Sequence, residues 1–191
     1  VSGIENKIYN GKAHTQKSLV VKAGAKTLRL NKDYTVTYSK NKAVGKASVI
    51  IRGKNAYSGK ITKTFTIVKA AKGKTYTVGK FKYTITGAKA DGTGTVAISG
   101  TTYTRSDKKF ASLTISDAVV IGGVKFKITS VGANAFSRYS MLTSVVIGNN
   151  VTSIGSNAFV SCKNLKKVTI KSTKLKGVGA KAFSGTYSKV T

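Results

Sequence analysis

Residues 128–136 read ITSVGANAF, residues 151–159 read VTSIGSNAF and residues 175–183 read LKGVGAKAF. The closing Phe136, Phe159 and Phe183 therefore stand 23 and then 24 residues apart. Behind the first two copies the order L-x-x-V-x-I recurs, as Leu142, Val145 and Ile147 and again as Leu165, Val168 and Ile170. A unit this short has too few apolar side chains to enclose a core of its own. Its neighbours must stack on it and share one, so the repeat dictates a quasi-linear array rather than a closed globule.

Apolar positions held strictly in register over a unit of about 20–29 residues, with an L-x-x-L-x-L strand, predict a leucine-rich-repeat solenoid. A degenerate earlier copy is readable in Phe110, Leu113 and Ile115. It is followed by an insertion, Val119 to Phe126, that reads as a hairpin around Gly122-Gly123. Residues 74–104 read as strands closing the open end of the array, as repeat proteins require for solubility.

The repeat resembles the BspA-like leucine-rich repeats of bacterial cell-surface proteins, which share the I-G-x-x-A-F core and a cysteine three residues after the phenylalanine. Cys162 stands at that place, and Tyr139 replaces it one copy earlier. The resemblance implies an exported bacterial protein that displays or binds. The third copy is unfinished at Thr191, and Val1 to Asn10 lack the charged-then-apolar order of a signal peptide. Ser188 to Thr191 carry no anchor or cap, so both ends read as cut.

The first part of the chain is strand-like throughout. Thr35, Val36, Thr37 and Tyr38, or Lys46 to Ile51, alternate apolar with polar in the two-residue period of half-buried strands. About six such runs, separated by turn signals at Asn10-Gly11, Asn31 to Asp33, Asn41-Lys42, Gly53 to Asn55 and Ser58-Gly59, predict a small sandwich of two antiparallel sheets. Tyr9 to Lys12, Asp33 to Val36, Tyr38, Asn41, Gly45, Ala47, Val49, Gly53, Tyr57 to Gly59 and Phe65 to Ile67 resemble the tyrosine- and glycine-rich Ig-like repeats of bacterial surface proteins. The pattern departs at Ala13 to Lys17, where such repeats often carry proline.

The expected fold is mainly β: an Ig-like β-sandwich at 1–68, a linker at 69–74, and a leucine-rich-repeat domain at 75–191. The last comprises a β-rich N-terminal cap at 75–127 and repeats at 128–191, the final one truncated.

Lysine and arginine total 34 against 5 acidic residues, for a formal charge of +29. Only Arg29, Arg52, Arg105 and Arg138 are arginines, the residue that forks onto bases and phosphates, and the lysines are spread singly. This pattern fits a solvated surface, or attraction to an anionic cell-wall polymer, better than specific nucleic-acid recognition. No run approaches the roughly 18 apolar residues of a membrane-spanning helix.

Chemistry is sparse. The single histidine, His14, lies in a polar turn segment and reads as an exposed loop residue. Glu5, Asp33, Asp91, Asp107 and Asp117 are scattered at turns, with Asp33 expected to bond the amides of its own turn. Cys162 excludes an internal disulfide and reads as a packing residue. Gly92, Gly94 and Ala97 mimic a dinucleotide fingerprint but open no helix. Tyr9, Tyr34, Tyr38 and Tyr57 read as core packing or, alternatively, as a sugar platform. No catalytic, cofactor or metal site is expected, and the chain does not read as an enzyme.

What remains is surface. Residues between the buried positions of the repeat strands form rows across copies: Ser112, Ser144 and Lys167 in one, Thr114, Val146 and Thr169 in the next. They are the candidate binding face of a secreted or cell-surface adhesion or protein-interaction module, whose partner is a protein, a cell surface or a matrix. The alternatives are a lysine-rich module that associates with anionic cell wall, and an accessory domain of an enzyme whose catalytic domain lies elsewhere.

Overall fold

The computed structural model describes residues 1–187, so the unfinished end of the third copy lies outside the described residues. Every regular element among them is a β-strand. The chain divides into two compact units. One holds Val1–Ala70 with the turn segments Ala90–Gly92 and Gly122–Val124, and the other holds the rest.

In the first unit, β1 (Lys7–Ile8), β2 (Lys22–Ala23), β3 (Lys26–Thr27), β4 (Tyr34–Ser39), β5 (Gly45–Gly53) and β6 (Lys60–Val68) follow one another. A four-stranded sheet has the order β1-β6-β5-β4, while β2 and β3 form a separate antiparallel ladder. Strands β4, β5 and β6 are antiparallel, and β1 joins β6 in parallel. The alternation of β5 sends Ala47, Val49 and Ile51 inward. Val49 and Ile51 cluster with Val21 and Tyr34, and Ala47 with Phe65 and Ile67. At about 1.5–3 kcal/mol for each large apolar side chain removed from water, these clusters dominate the stability of the unit.

The second unit opens with the antiparallel strands β7 (Thr75–Val78), β8 (Phe81–Ala88) and β9 (Gly94–Thr101). Gly73 and Lys74, read from sequence as linker, exchange backbone hydrogen bonds with Ile85 of β8. There follow β10 (Ser112–Ile115), β11 (Ala118–Ile121), β12 (Val124–Val131), β13 (Ser144–Ile147), β14 (Ser153–Ile154), β15 (Lys167–Ile170) and β16 (Gly177–Val178). β11 and β12 are joined by Gly122-Gly123, both at positive φ, the conformation a two-residue hairpin turn demands. β9 is antiparallel to β8 but parallel to β12, so it is where the opening meander gives way to parallel courses.

From there the repeats stack as two parallel ladders. One runs β10-β13-β15 and the other β9-β12-β14-β16. A third line of backbone hydrogen bonds passes through the phenylalanine turns. Phe136 N donates to Ala158 O at 2.8 Å and Phe159 N to Ala182 O at 2.8 Å. Inside, the rings of Phe136 and Phe159 stack at 5.5 Å between centroids, and those of Phe159 and Phe183 at 5.2 Å. Near-parallel rings at such spacing are worth about 0.5–1.5 kcal/mol beyond the area they bury.

Candidate binding face of the repeats

The face begins with the spacing of buried residues. In β10, Leu113 and Ile115 point into the core; in β13, Val145 and Ile147 do so. The side chains between them must face the other way, because a strand alternates. Parallel pairing then sets them in line: Ser112 opposite Ser144 opposite Lys167, and Thr114 opposite Val146 opposite Thr169. Neighbours in such a row are about 4.8 Å apart. Ser112, Thr114 and Lys167 are exposed, while Ser144, Val146 and Thr169 are half-buried.

The ladder extends past the strand ends, since Lys171 N donates to Ile147 O at 2.9 Å. Past the strands Ser116 and Lys171 are exposed, whereas Gly148 is buried against Ile115 and Asp117 of the preceding unit, so the outward rows end with the strands.

Asp117 closes one edge. One carboxylate oxygen accepts from Asn149 N at 2.6 Å and the other from Asn149 Nδ2 at 3.1 Å. Asn150 Nδ2 donates to the Asp117 carbonyl at 3.1 Å. The side-chain bond from Asn149, then its backbone amide, hold the Asp117 carboxyl below its ordinary pKa. This carboxylate is committed to fixing the turn after β13.

The remaining chemistry-bearing residues do not converge. Among the described residues, no group of three or more His, Cys, Asp or Glu side chains is placed to hold a metal ion. Asp33 accepts from Arg29 N at 2.8 Å within its own turn. Asp107 accepts from Lys109 N at 2.9 Å, and Glu5 pairs with Lys7 at 3.3 Å. Cys162 is buried, with burial pushing its thiol pKa up, so little reactive thiolate forms. Tyr34 is buried, the Tyr38 hydroxyl accepts from Gln16 N at 2.9 Å, and Lys26 Nζ covers the Tyr57 ring at 5.6 Å. No open row of tyrosine faces results from these three.

His14 requires a correction. It was expected in an exposed loop, but it is only 5% exposed. Asn41 clamps it on both sides: His14 N donates to Asn41 O at 2.8 Å, and Asn41 Nδ2 donates to His14 O at 2.7 Å. This long-range clamp draws a polar stretch inward, and the imidazole Nε2 is buried with no partner among the described residues.

No helix among the described residues is long and apolar enough to cross a membrane. No curated protein matches the chain. A leucine rich cell surface protein from Faecalibacterium prausnitzii is 33% identical over 59% of this chain, with a TM-score of 0.49. The chain spans only 28% of that protein's length. The pneumococcal vaccine antigen PcpA is 19% identical over 61% of this chain and 31% of its own, with a TM-score of 0.51, a likeness of fold. A leucine-rich repeat protein from Bacteroides capillosus is 28% identical over 57% of this chain and 73% of its own, at a TM-score of 0.47. Residues 95–190 match the BspA type leucine rich repeat region (6 copies), and the chain belongs to that family.

Proposed function

We propose that this chain is a non-catalytic adhesion or protein-interaction module of a secreted or cell-surface protein, with the face of β10, β13 and β15 as its binding surface. The first unit is read as an Ig-like sandwich that spaces or presents the repeat solenoid. The observation that carries the reading is the alignment of Ser112, Ser144 and Lys167 beside Thr114, Val146 and Thr169. Small polar side chains around a half-buried valine offer a flat surface that costs little to desolvate. Stacked units hold it rigid, so a partner ordering itself against it pays the smaller entropic cost. The likeness in sequence to the leucine rich cell surface protein of Faecalibacterium prausnitzii supports the location.

A second reading is retention on anionic cell-wall polymer, favoured by the excess of 34 basic over 5 acidic residues. Binding of the labelled chain to host-cell layers and to isolated cell walls, each across a salt series, separates the two. Contact through the face persists at physiological salt and is lost in a Val146→Arg variant. Retention by lysine fades as the Debye length shrinks to about 8 Å and ignores that substitution. Salt-resistant binding untouched by face substitutions overturns both readings.

A further inference from the structure

The four-stranded sheet of the first unit ends on β4; among the described residues no strand covers its outer edge, and only an isolated bridge from Leu30 meets Tyr34 there. Its polarity follows from its turns. Asp33 O accepts from Lys54 N on the β5 side, whereas Tyr34 O accepts from Asn31 N on the opposite side. In an antiparallel pair the backbone groups of one residue point the same way and alternate along the strand. Val36 and Tyr38, like Tyr34, therefore direct their N–H and C=O groups away from β5. No group among the described residues answers them.

Beside this edge runs a groove of about 660 Å³, lined by Gln16, Leu19, Leu30, Tyr34, Val36 and Tyr38 among others. Val36, Tyr38 and Leu19 pack against the core cluster of Val21, Tyr34, Val49 and Ile51, yet are only partly buried. Leu30 is 54% exposed. The core is thus open on the side where a neighbouring strand would lie. Sheet edges are commonly guarded by lysine or proline. β5 and β6 carry Lys46, Arg52, Lys60 and Lys63, but the edge strand β4 reads YTVTYS and carries no charge.

We propose that β4 accepts an extended, acidic segment of a partner protein as an added strand, with apolar side chains of that segment covering Val36 and Leu30. Backbone pairing supplies affinity and the side-chain groove supplies selectivity, as in other cases of strand addition. Charge selects the partner. Lys17 lines the groove, Lys32 and Lys40 flank β4, and the nearby Asp33 carboxylate is spent on the Arg29 amide. A second copy of this chain, at +29, is repelled from the same edge. The proposal does not rest on the repeat face.

The test is amide hydrogen exchange and fluorescence anisotropy on the whole chain, with a capped, labelled peptide alternating glutamate and valine. Three controls accompany it: a peptide with lysine for glutamate, one N-methylated at alternate residues, and a shuffled peptide of the same composition. In the free chain the Val36 and Tyr38 amides exchange fast while those of Thr35 and Thr37 are protected. The glutamate peptide protects Val36 and Tyr38. The N-methylated and lysine peptides bind at least about tenfold more weakly, the loss expected when a backbone bond or a charge complement goes. Val36→Pro, which removes one outward donor, and Leu30→Lys, which leaves the backbone intact, each weaken binding of the glutamate peptide. Equal binding of the N-methylated peptide reduces the effect to charge and overturns the proposal. Absent binding, or protection on β13 rather than β4, overturns it as well, and protection on β13 leaves the repeat-face reading standing.

Discussion

The Sγ of Cys162 lies 3.0 Å from the carbonyl oxygen of Phe136, one repeat back, in the fully buried interior. The thiol serves as a donor that ties consecutive turns together. The same column is filled by Tyr139, whose hydroxyl donates to Tyr103 O at 3.1 Å, and by Thr186, whose hydroxyl donates to Phe183 O at 2.8 Å. Cys162 and Tyr139 thus reach carbonyls well back along the chain, whereas the Thr186 bond stays within its own turn.

Ellman's reagent is therefore expected to leave Cys162 unmodified in the native chain and to titrate it fully in denaturant. Cys162→Ala should cost about 1–2 kcal/mol, through a lost donor and a small cavity. Urea titration reads the cost, and rapid native modification sinks the assignment.

The glycine of each repeat makes a sharper prediction. A Cβ on Gly155 would stand 2.5 Å from Ala133 N, and one on Gly179 would run into Ser156 N. The repeats approach here closer than any side chain permits. Gly155→Ala should cost about 1–3 kcal/mol by forcing the turns apart. Gly177, in the neighbouring strand, has nothing within 4 Å of such an atom, so Gly177→Ala should be neutral or slightly stabilising. Thermal unfolding of the two variants should diverge, and equal shifts refute the close-approach argument.

Those glycines were visible in the sequence because a shared core forces every unit to repeat its buried residues. The hairpin at Gly122-Gly123 was visible because positive φ at both turn positions admits few residues. His14 was not. Its burial comes from a clamp to Asn41, and no local period in a polar stretch announces a contact that distant. The edge of β4 escaped for a related reason: YTVTYS alternates like any strand, and only the sheet order shows that no described strand pairs with its outer side.

The turns around each phenylalanine conceal another requirement. Arg138 and Ser161, two residues after Phe136 and Phe159, adopt φ of 64° and 57°, and Gly185 holds the matching position with φ of 67°. The chain path takes the left-handed region at this place in these three copies, and only the third supplies the residue that enters it freely. Arg138→Gly and Ser161→Gly should each raise stability by up to about 1 kcal/mol, despite the usual entropic penalty of glycine. A lower unfolding midpoint in both variants contradicts the strain.

Burial first, and the Lys7 ammonium second, hold the pKa of His14 below its ordinary 6.5. The unfolded chain, whose histidine titrates near 6.5, then binds more protons than the native one at mildly acid pH. Stability is therefore full above that value and falls as pH drops below it, levelling only when the native imidazole itself charges. The slope from this one group is at most about 1.4 kcal/mol per pH unit. His14→Gln removes the titration, so its unfolding midpoint should stay flat between pH 7.5 and pH 5, about the range over which histidine charges, while that of the parent declines. Amide exchange assigns the decline, which should appear at Val49 and Ile51 of the first unit and spare Val145 and Ile147 of the repeats. A parent chain whose stability ignores pH in this window contradicts a buried, neutral His14.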